Sequence, residues 1–162
     1  MTPPPARELR ILADRLAECA VRRNPKRRWA EIDIVLLNDA EMTEANRQCL
    51  DHEGSTDVIT LAYRPMSKQA GWRGEILINL DLAHRLGRRH GGAGHELALY
   101  IAHGMDHLSD AHDRTPDEQR RMRRRELRWR AAAFHAGGLR GLEQWGTPKP
   151  ARRTSRTRTE QC

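Results

Sequence analysis

An α+β layer fold, a small mixed sheet backed by helices with one histidine-bearing helix at its centre, is predicted by three features of the sequence. Segments with strand character fall in the first half of the 162 residues, whereas the second half reads as helix. Helix and strand alternate at the start, which favours a sheet covered by helices over two separate layers of one kind. One later helix carries apolar residues for the core, Leu97, Ile101 and Leu108, together with closely spaced histidines.

The elements follow in order. Residues 1–5 are a proline-rich lead-in. Leu9, Leu12, Leu16 and Ala20 recur at helical spacing from Ala6 to about Arg22, and Asn24-Pro25 stops the run. After the basic loop Lys26-Arg27-Arg28, residues 31–37 (EIDIVLL) alternate and then turn apolar, as a strand does when one face is buried, or both near its end. Asn38 or Asp39 caps the next helix, with Met42, Ala45 and Cys49 as its inward stripe. The polar turn 54–57 leads into the β-branched strand 58–63, and a loop with Pro65, Gly71 and Trp72 returns to a third strand at 74–78. Asn79 caps a short helix to about Arg88, and the glycine-rich break 88–94 precedes a helix from His95 to Leu108. Thr115-Pro116-Asp117-Glu118 opens the last helix. Threonine is the cap, proline occupies the first turn, and glutamate three residues after the cap closes the box. Met122, Leu127 and Ala131 mark its buried stripe, and Gly137-Gly138 end it after about Phe134. Residues 1–145 form one domain, and 146–162, lacking an apolar period, form a disordered basic tail.

Composition narrows the classes of partner. The formal net charge is +7 and the charged fraction 31%, a balance that suits a polyanion, nucleic acid before membrane. Aromatic residues are only 4%, which argues against an extended base-stacking platform. Cys19, Cys49 and Cys162 are odd in number and widely spaced, so they read as free thiols in a reducing, cytoplasmic setting. No stretch resembles a signal peptide or a membrane span, and no membrane partner is expected.

The chemistry concentrates in residues 102–113, which hold three of the eight histidines and three aspartates. His103 and His107 are four apart, so on a helix both imidazoles project from one face and can reach one ion. A carboxylate or imidazole just past the helix end would supply a third ligand. Three protein ligands with an open fourth position are the pattern of a catalytic zinc site. His95 reads as a cap or surface residue, and His52, His84, His90 and His135 lack ligand spacing and read as surface. A zincin would place glutamate after the first histidine, and Gly104 stands there instead, which argues against a peptidase.

Three blocks together resemble a known family, the YbeY-type endoribonucleases of ribosomal RNA maturation. HGMDHLSDAHD at 103–113 is similar to the family's H-G-x-L-H-L-x-G-Y-D-H. Asn46 and STDVITLAY at 55–63 match an upstream asparagine-containing helix followed by TDV-[LI]-[ST]-F, and GEILI at 74–78 matches G-[DE]-I-x-I. Their order and spacing also agree, over about residues 30 to 130. The resemblance implies a mixed sheet of about four strands, one Zn2+ per chain and single-strand-specific cleavage in ribosomal RNA maturation and ribosome quality control. It implies ribosomal RNA precursor or the small ribosomal subunit as partner.

The family register puts the third ligand at Asp113, where most members have histidine, giving His103, His107 and Asp113 as the metal set. A one-residue adjustment of the loop would bring in His112 instead. Asp106 stands in place of the family's usual leucine. It lies about 60° around the helix from His103, near enough to bond a ligand imidazole or serve as a base. Asp110 and Ala111 replace the loop's glycine and tyrosine, and Leu50 replaces an arginine thought to act on RNA, a role left to Arg47 or another cation. From the run 120–125, Arg120, Arg123 and Arg124 are candidates for phosphate contact, and the tail arginines add non-specific attraction. The alternatives are a non-catalytic RNA- or ribosome-binding module with a structural metal, or a metallohydrolase of another substrate class.

Overall fold

The computed structural model describes residues 2–67 and 69–147. In chain order the elements are α1 (Ala6–Arg23), β1 (Trp29–Leu37), α2 (Asp39–Leu50), β2 (Val58–Tyr63), β3 (Trp72–Asn79), α3 (Leu80–Gly87), α4 (Ala93–Leu108), α5 (Pro116–His135) and α6 (Arg140–Gln144). The tail beyond residue 147 lies outside the described residues. Of the expected tail, Gly146 and Thr147 close the folded part, the Thr147 amide donating to the Gln144 carbonyl.

The sheet is mixed, in the order β1-β3-β2, with β1 parallel and β2 antiparallel to β3. Three strands are present among the described residues where the resemblance implies about four. The sequence holds only three runs with strand pattern, and residues 66–67 and 69–70 between two of them make bends instead. Central β3 shows the period of two directly, burying Gly74, Ile76 and Ile78 beneath the helices.

Helix α4 is the centre of the domain. Thirteen of its 16 residues are buried, and it touches α1, α3, α5, α6, β2 and β3. A helix apolar nearly all round has no solvent face to spare, which is why it lies inside while its neighbours lie outside. Two glycines let it approach the sheet. A Cβ on Gly104 would stand 2.6 Å from Ile76 Cγ2, and one on Gly74 of β3 would stand 2.9 Å from Leu108 Cδ1. Gly104→Ala is therefore expected to cost about 1–3 kcal/mol through overpacking. Equal unfolding midpoints for variant and wild type in urea would refute this close-approach role.

Local signals account for most boundaries. Asn38 caps α2 in a reciprocal box with Glu41, and Thr115 caps α5 in the same way with Glu118. Other expectations need correction. Cys49 is exposed, and the inward face of α2 is Met42 and Asn46, whose side-chain amide donates to the Gly54 carbonyl at 2.9 Å. The buried residues of α5 are Met122, Glu126 and Ala133, while Ala131 is exposed, so the helix is rotated from its most apolar reading. Helix α6 was not foreseen because five residues give no period; it is held by Glu8, which accepts from the Leu142 amide at 2.7 Å.

Buried Asn79, at the end of β3, ties the sheet to the helices around it. Its amide donates to Asp39, Ser55 and the Thr56 carbonyl, and its oxygen accepts from the Leu82 amide. Arg85 pairs with Asp39, and that bond, with the one from Asn79, pulls the Asp39 carboxyl down to about 2. The same junction places Asp57, whose carbonyl accepts from the Asn79 amide at 2.9 Å.

Candidate metal centre

The i, i+4 spacing on α4 sets the imidazoles of His103 and His107 against each other, with Nε2 atoms 3.1 Å apart. The opposite ring nitrogens are occupied. His103 Nδ1 donates to Glu126 Oε1 at 2.7 Å, and His107 Nδ1 donates to the Ala111 carbonyl at 3.2 Å. Because a carbonyl and a carboxylate only accept, both Nδ1 atoms carry the proton, which leaves the two Nε2 atoms facing each other. Two imidazole nitrogens this close share a cation between them, a proton or a metal ion. Burial works to lower the His103 pKa, but the hydrogen bond and charge of Glu126 outweigh it and raise it on balance. His107 is shifted down, by burial and by the charge on His103.

The third group arrives by a backbone device at the end of α4. The Asp110 amide donates to the His107 carbonyl and the Ala111 amide to the Asp106 carbonyl, the pair of bonds of a Schellman turn. Asp110 therefore sits in the left-handed region, φ 73°, where glycine is the usual occupant. Arg27 holds its carboxylate at 3.1 Å. The turn brings Asp113 back, with Oδ2 3.8 Å from His107 Nε2, and one ligand atom from each of His103, His107 and Asp113 lies within 4.8 Å of the others. His112 is exposed and outside this group. Two imidazole nitrogens and a carboxylate oxygen are the donor types of a zinc site with an open position, and the facing Nε2 atoms fit a bound cation.

Asp106 does not bond to either imidazole. It is fully buried, and Arg125 Nε lies 2.9 Å from both its oxygens, with Arg23 Nε at 3.4 Å from one of them. The 60° offset carries it past the metal face to the seam between α4, α5 and α1, where arginines outcompete a neutral imidazole for its charge. Two histidines read as surface also lie partly inside. His95 packs on Phe134, and His84 meets Trp145 edge-on with its Nε2 buried and unpaired; burial lowers the pKa of both.

Of the candidate phosphate contacts, only Arg123 lines the cavity beside the histidines. Arg120 is paired with Asp117, Arg47 with Glu44 at 2.7 Å, and Arg124 is exposed. Leu50 is exposed at the end of α2. The sequence reading missed Glu126, Asp57, Glu96 and Tyr100, which line that cavity with His103. For three of them the signal was present. Residues 96, 100, 103 and 107 follow a four-three-four spacing that places them on one face of α4. Glu126 stands four after buried Met122, an acid on an inward stripe.

Fold and site together define an α+β protein whose central helix carries a candidate two-histidine, one-aspartate metal centre. The profile of the family described as Endoribonuclease YbeY matches residues 5–132. The endoribonuclease YbeY of Anaeromyxobacter sp. (strain Fw109-5) is 36% identical over 137 residues, covering 80% of this chain and 68% of that protein. That of Bacteroides thetaiotaomicron is 33% identical over 101 residues, covering 62% of this chain and 72% of that protein. The solution structure of TM1509 from Thermotoga maritima superposes with a TM-score of 0.61 at 18% identity, over 94% of this chain and 96% of that one, a likeness of fold. The chain belongs to the YbeY endoribonuclease family, and membership makes it an enzyme of the nuclease class.

Proposed function

We propose that the protein is a zinc-dependent, single-strand-specific endoribonuclease of ribosomal RNA maturation and ribosome quality control. In this reading it works in the reducing cytoplasm on ribosomal RNA precursor or the small ribosomal subunit. Among the described residues no helix is long and apolar enough to cross a membrane. The observation that carries the metal reading is the grouping of His103 and His107, their Nε2 atoms 3.1 Å apart and their Nδ1 atoms already bonded elsewhere, with an oxygen of Asp113.

His103, His107 and Asp113 would hold the ion. When bound, the metal supplies Lewis acidity for phosphodiester cleavage. The chain's own residues do the rest. Glu126 keeps the proton of His103 on Nδ1 and so keeps Nε2 free. The Gln119 side-chain amide donates to the Asp113 carbonyl at 2.9 Å and steadies the third ligand. Arg123 at the cavity offers the cation that a phosphate requires.

Elemental analysis of purified protein is expected to find about one zinc per chain. Asp113→Ala should lose it and His112→Ala should keep it. The reverse would move the third ligand and shorten the loop. Chelation should stop cleavage of single-stranded RNA and added zinc should restore it.

Acidity should compete with the metal. The raised pKa of His103 means that Nε2 begins to take a proton above the ordinary imidazole range as pH falls. Zinc affinity is therefore expected to weaken on going from about pH 8 to about pH 6, by about tenfold per unit for each proton displaced. An affinity constant across that range would contradict histidine ligation.

A further inference from the structure

Two of the three ligands depend on the turn that reverses the chain after α4, residues 108–111. The Ala111 carbonyl accepts from His107 Nδ1 at 3.2 Å, and Asp113 follows two residues later in the chain. The turn needs a left-handed residue, and Asp110 fills that place at φ 73°. Aspartate enters this region less readily than glycine, which has no Cβ to crowd the backbone. The helix end also leaves the Leu108 carbonyl without a partner in the helical ladder.

Arg27, in the loop between α1 and β1, meets both needs. Its Nη1 donates to the Leu108 carbonyl at 2.8 Å and its Nη2 to Asp110 Oδ1 at 3.1 Å. The guanidinium lies over the ring of Trp72, 4.3 Å from the centroid, and the Arg27 side chain is only 17% exposed. Stacking occupies a face of the guanidinium and leaves its N–H edge for the two acceptors, a geometry that lysine does not reproduce. Arg23 helps one residue along by bonding the carbonyl and, at 3.0 Å, the hydroxyl of Ser109. Its own charge is set against Asp106, whereas Asp110 is paired with Arg27.

We propose that Arg27 is a positioning residue of the metal centre, acting through the Asp110 turn on His107 and Asp113; the proposal rests on the metal reading above. Its bond to Asp110 offsets the cost of a left-handed aspartate, and its bond to Leu108 fixes where the chain leaves the helix. Without Arg27 the turn samples other conformations, in which Asp113 swings away and the Ala111 carbonyl no longer orients His107. Binding the ion then has to order the loop as well, and affinity falls by that ordering cost.

The test is the zinc affinity of the full chain, measured by competition with a chelator, in wild type, Arg27→Met, Asp110→Gly and the double variant. Circular dichroism of each metal-free form checks that it is folded. Arg27→Met is expected to bind zinc about ten- to a hundredfold more weakly, the range seen when a group that orients a metal ligand is removed. Asp110→Gly should stay within a few-fold of wild type, because glycine enters the left-handed region freely. In the Asp110→Gly background the loss caused by Arg27→Met should shrink several-fold, as it must if Arg27 acts through that turn. Asn38→Ala removes the cap of α2, lowers stability away from the loop and should keep the wild-type affinity. Equal zinc affinity in Arg27→Met and wild type overturns the positioning role and leaves the metal centre standing. So does an undiminished loss in the Asp110→Gly background, or a loss as large in Asn38→Ala, which would make stability the cause. Wild-type protein that binds no zinc overturns the metal reading and the role of Arg27 with it.

Discussion

Replacing His103 and His107 together by alanine is expected to abolish zinc binding and to reduce RNA cleavage by about a thousandfold or more. That factor corresponds to about 4 kcal/mol of lost transition-state stabilisation, the scale on which a metal acts. The fold should survive, because both imidazoles are partly exposed while the surfaces of α4 that meet the sheet are apolar. The comparison to make is cleavage rate against circular dichroism for the double variant beside wild type. A folded double variant that cleaves at the wild-type rate would remove the metal from the mechanism. Glu126→Gln should be milder, since an amide oxygen still accepts from His103 Nδ1 while the charge that raises its pKa is gone.

The second large effect concerns stability. Arg125→Met is expected to cost about 3 kcal/mol or more, because Asp106 is fully buried and would keep only Arg23 as a cationic partner. For a chain of this size the melting temperature should fall by about 10 °C. Asp106→Leu combined with Arg125→Leu should recover most or all of that loss, since burying two apolar side chains avoids the desolvation of the ions. The family usually has leucine where this chain has Asp106, so half of that double variant restores the commoner residue. Thermal melts of the two single variants and the double variant decide the matter. A single variant within about 0.5 kcal/mol of wild type, the range of an ordinary surface change, would show that the pair contributes little. Because Arg125 and Glu126 are adjacent on α5, as Asp106 and His107 are on α4, the ion pair also clamps the seam across which Glu126 reaches His103.

Much of this protein follows from local rules that act within one turn or one strand. The caps at Asn38 and Thr115 and the stop at Asn24-Pro25 depend on residues a few positions apart, and they read correctly. His103 and His107 are likewise brought to one face by local geometry, since four residues on a helix align two side chains whatever surrounds them. The order of three motif blocks sufficed to suggest the family, and the spacing from His107 put Asp113 rather than His112 at the third position of the register.

What the sequence could not determine is which face of each helix meets which neighbour. By apolar content alone the inward stripe of α5 was Met122, Leu127 and Ala131; packing against α4 turned it to Met122, Glu126 and Ala133. That rotation brings a carboxylate under His103 and makes a buried acid useful rather than costly. Asp106 was misplaced for the same reason, as its partners Arg23 and Arg125 come from helices distant in sequence. The cavity beside His103, lined by residues of α3, α4 and α5, exists only between packed elements. Spacing along the chain determines which residues share a face; the long-range packing of α1, α4 and α5 decides what that face touches, and with it the charge on each site residue.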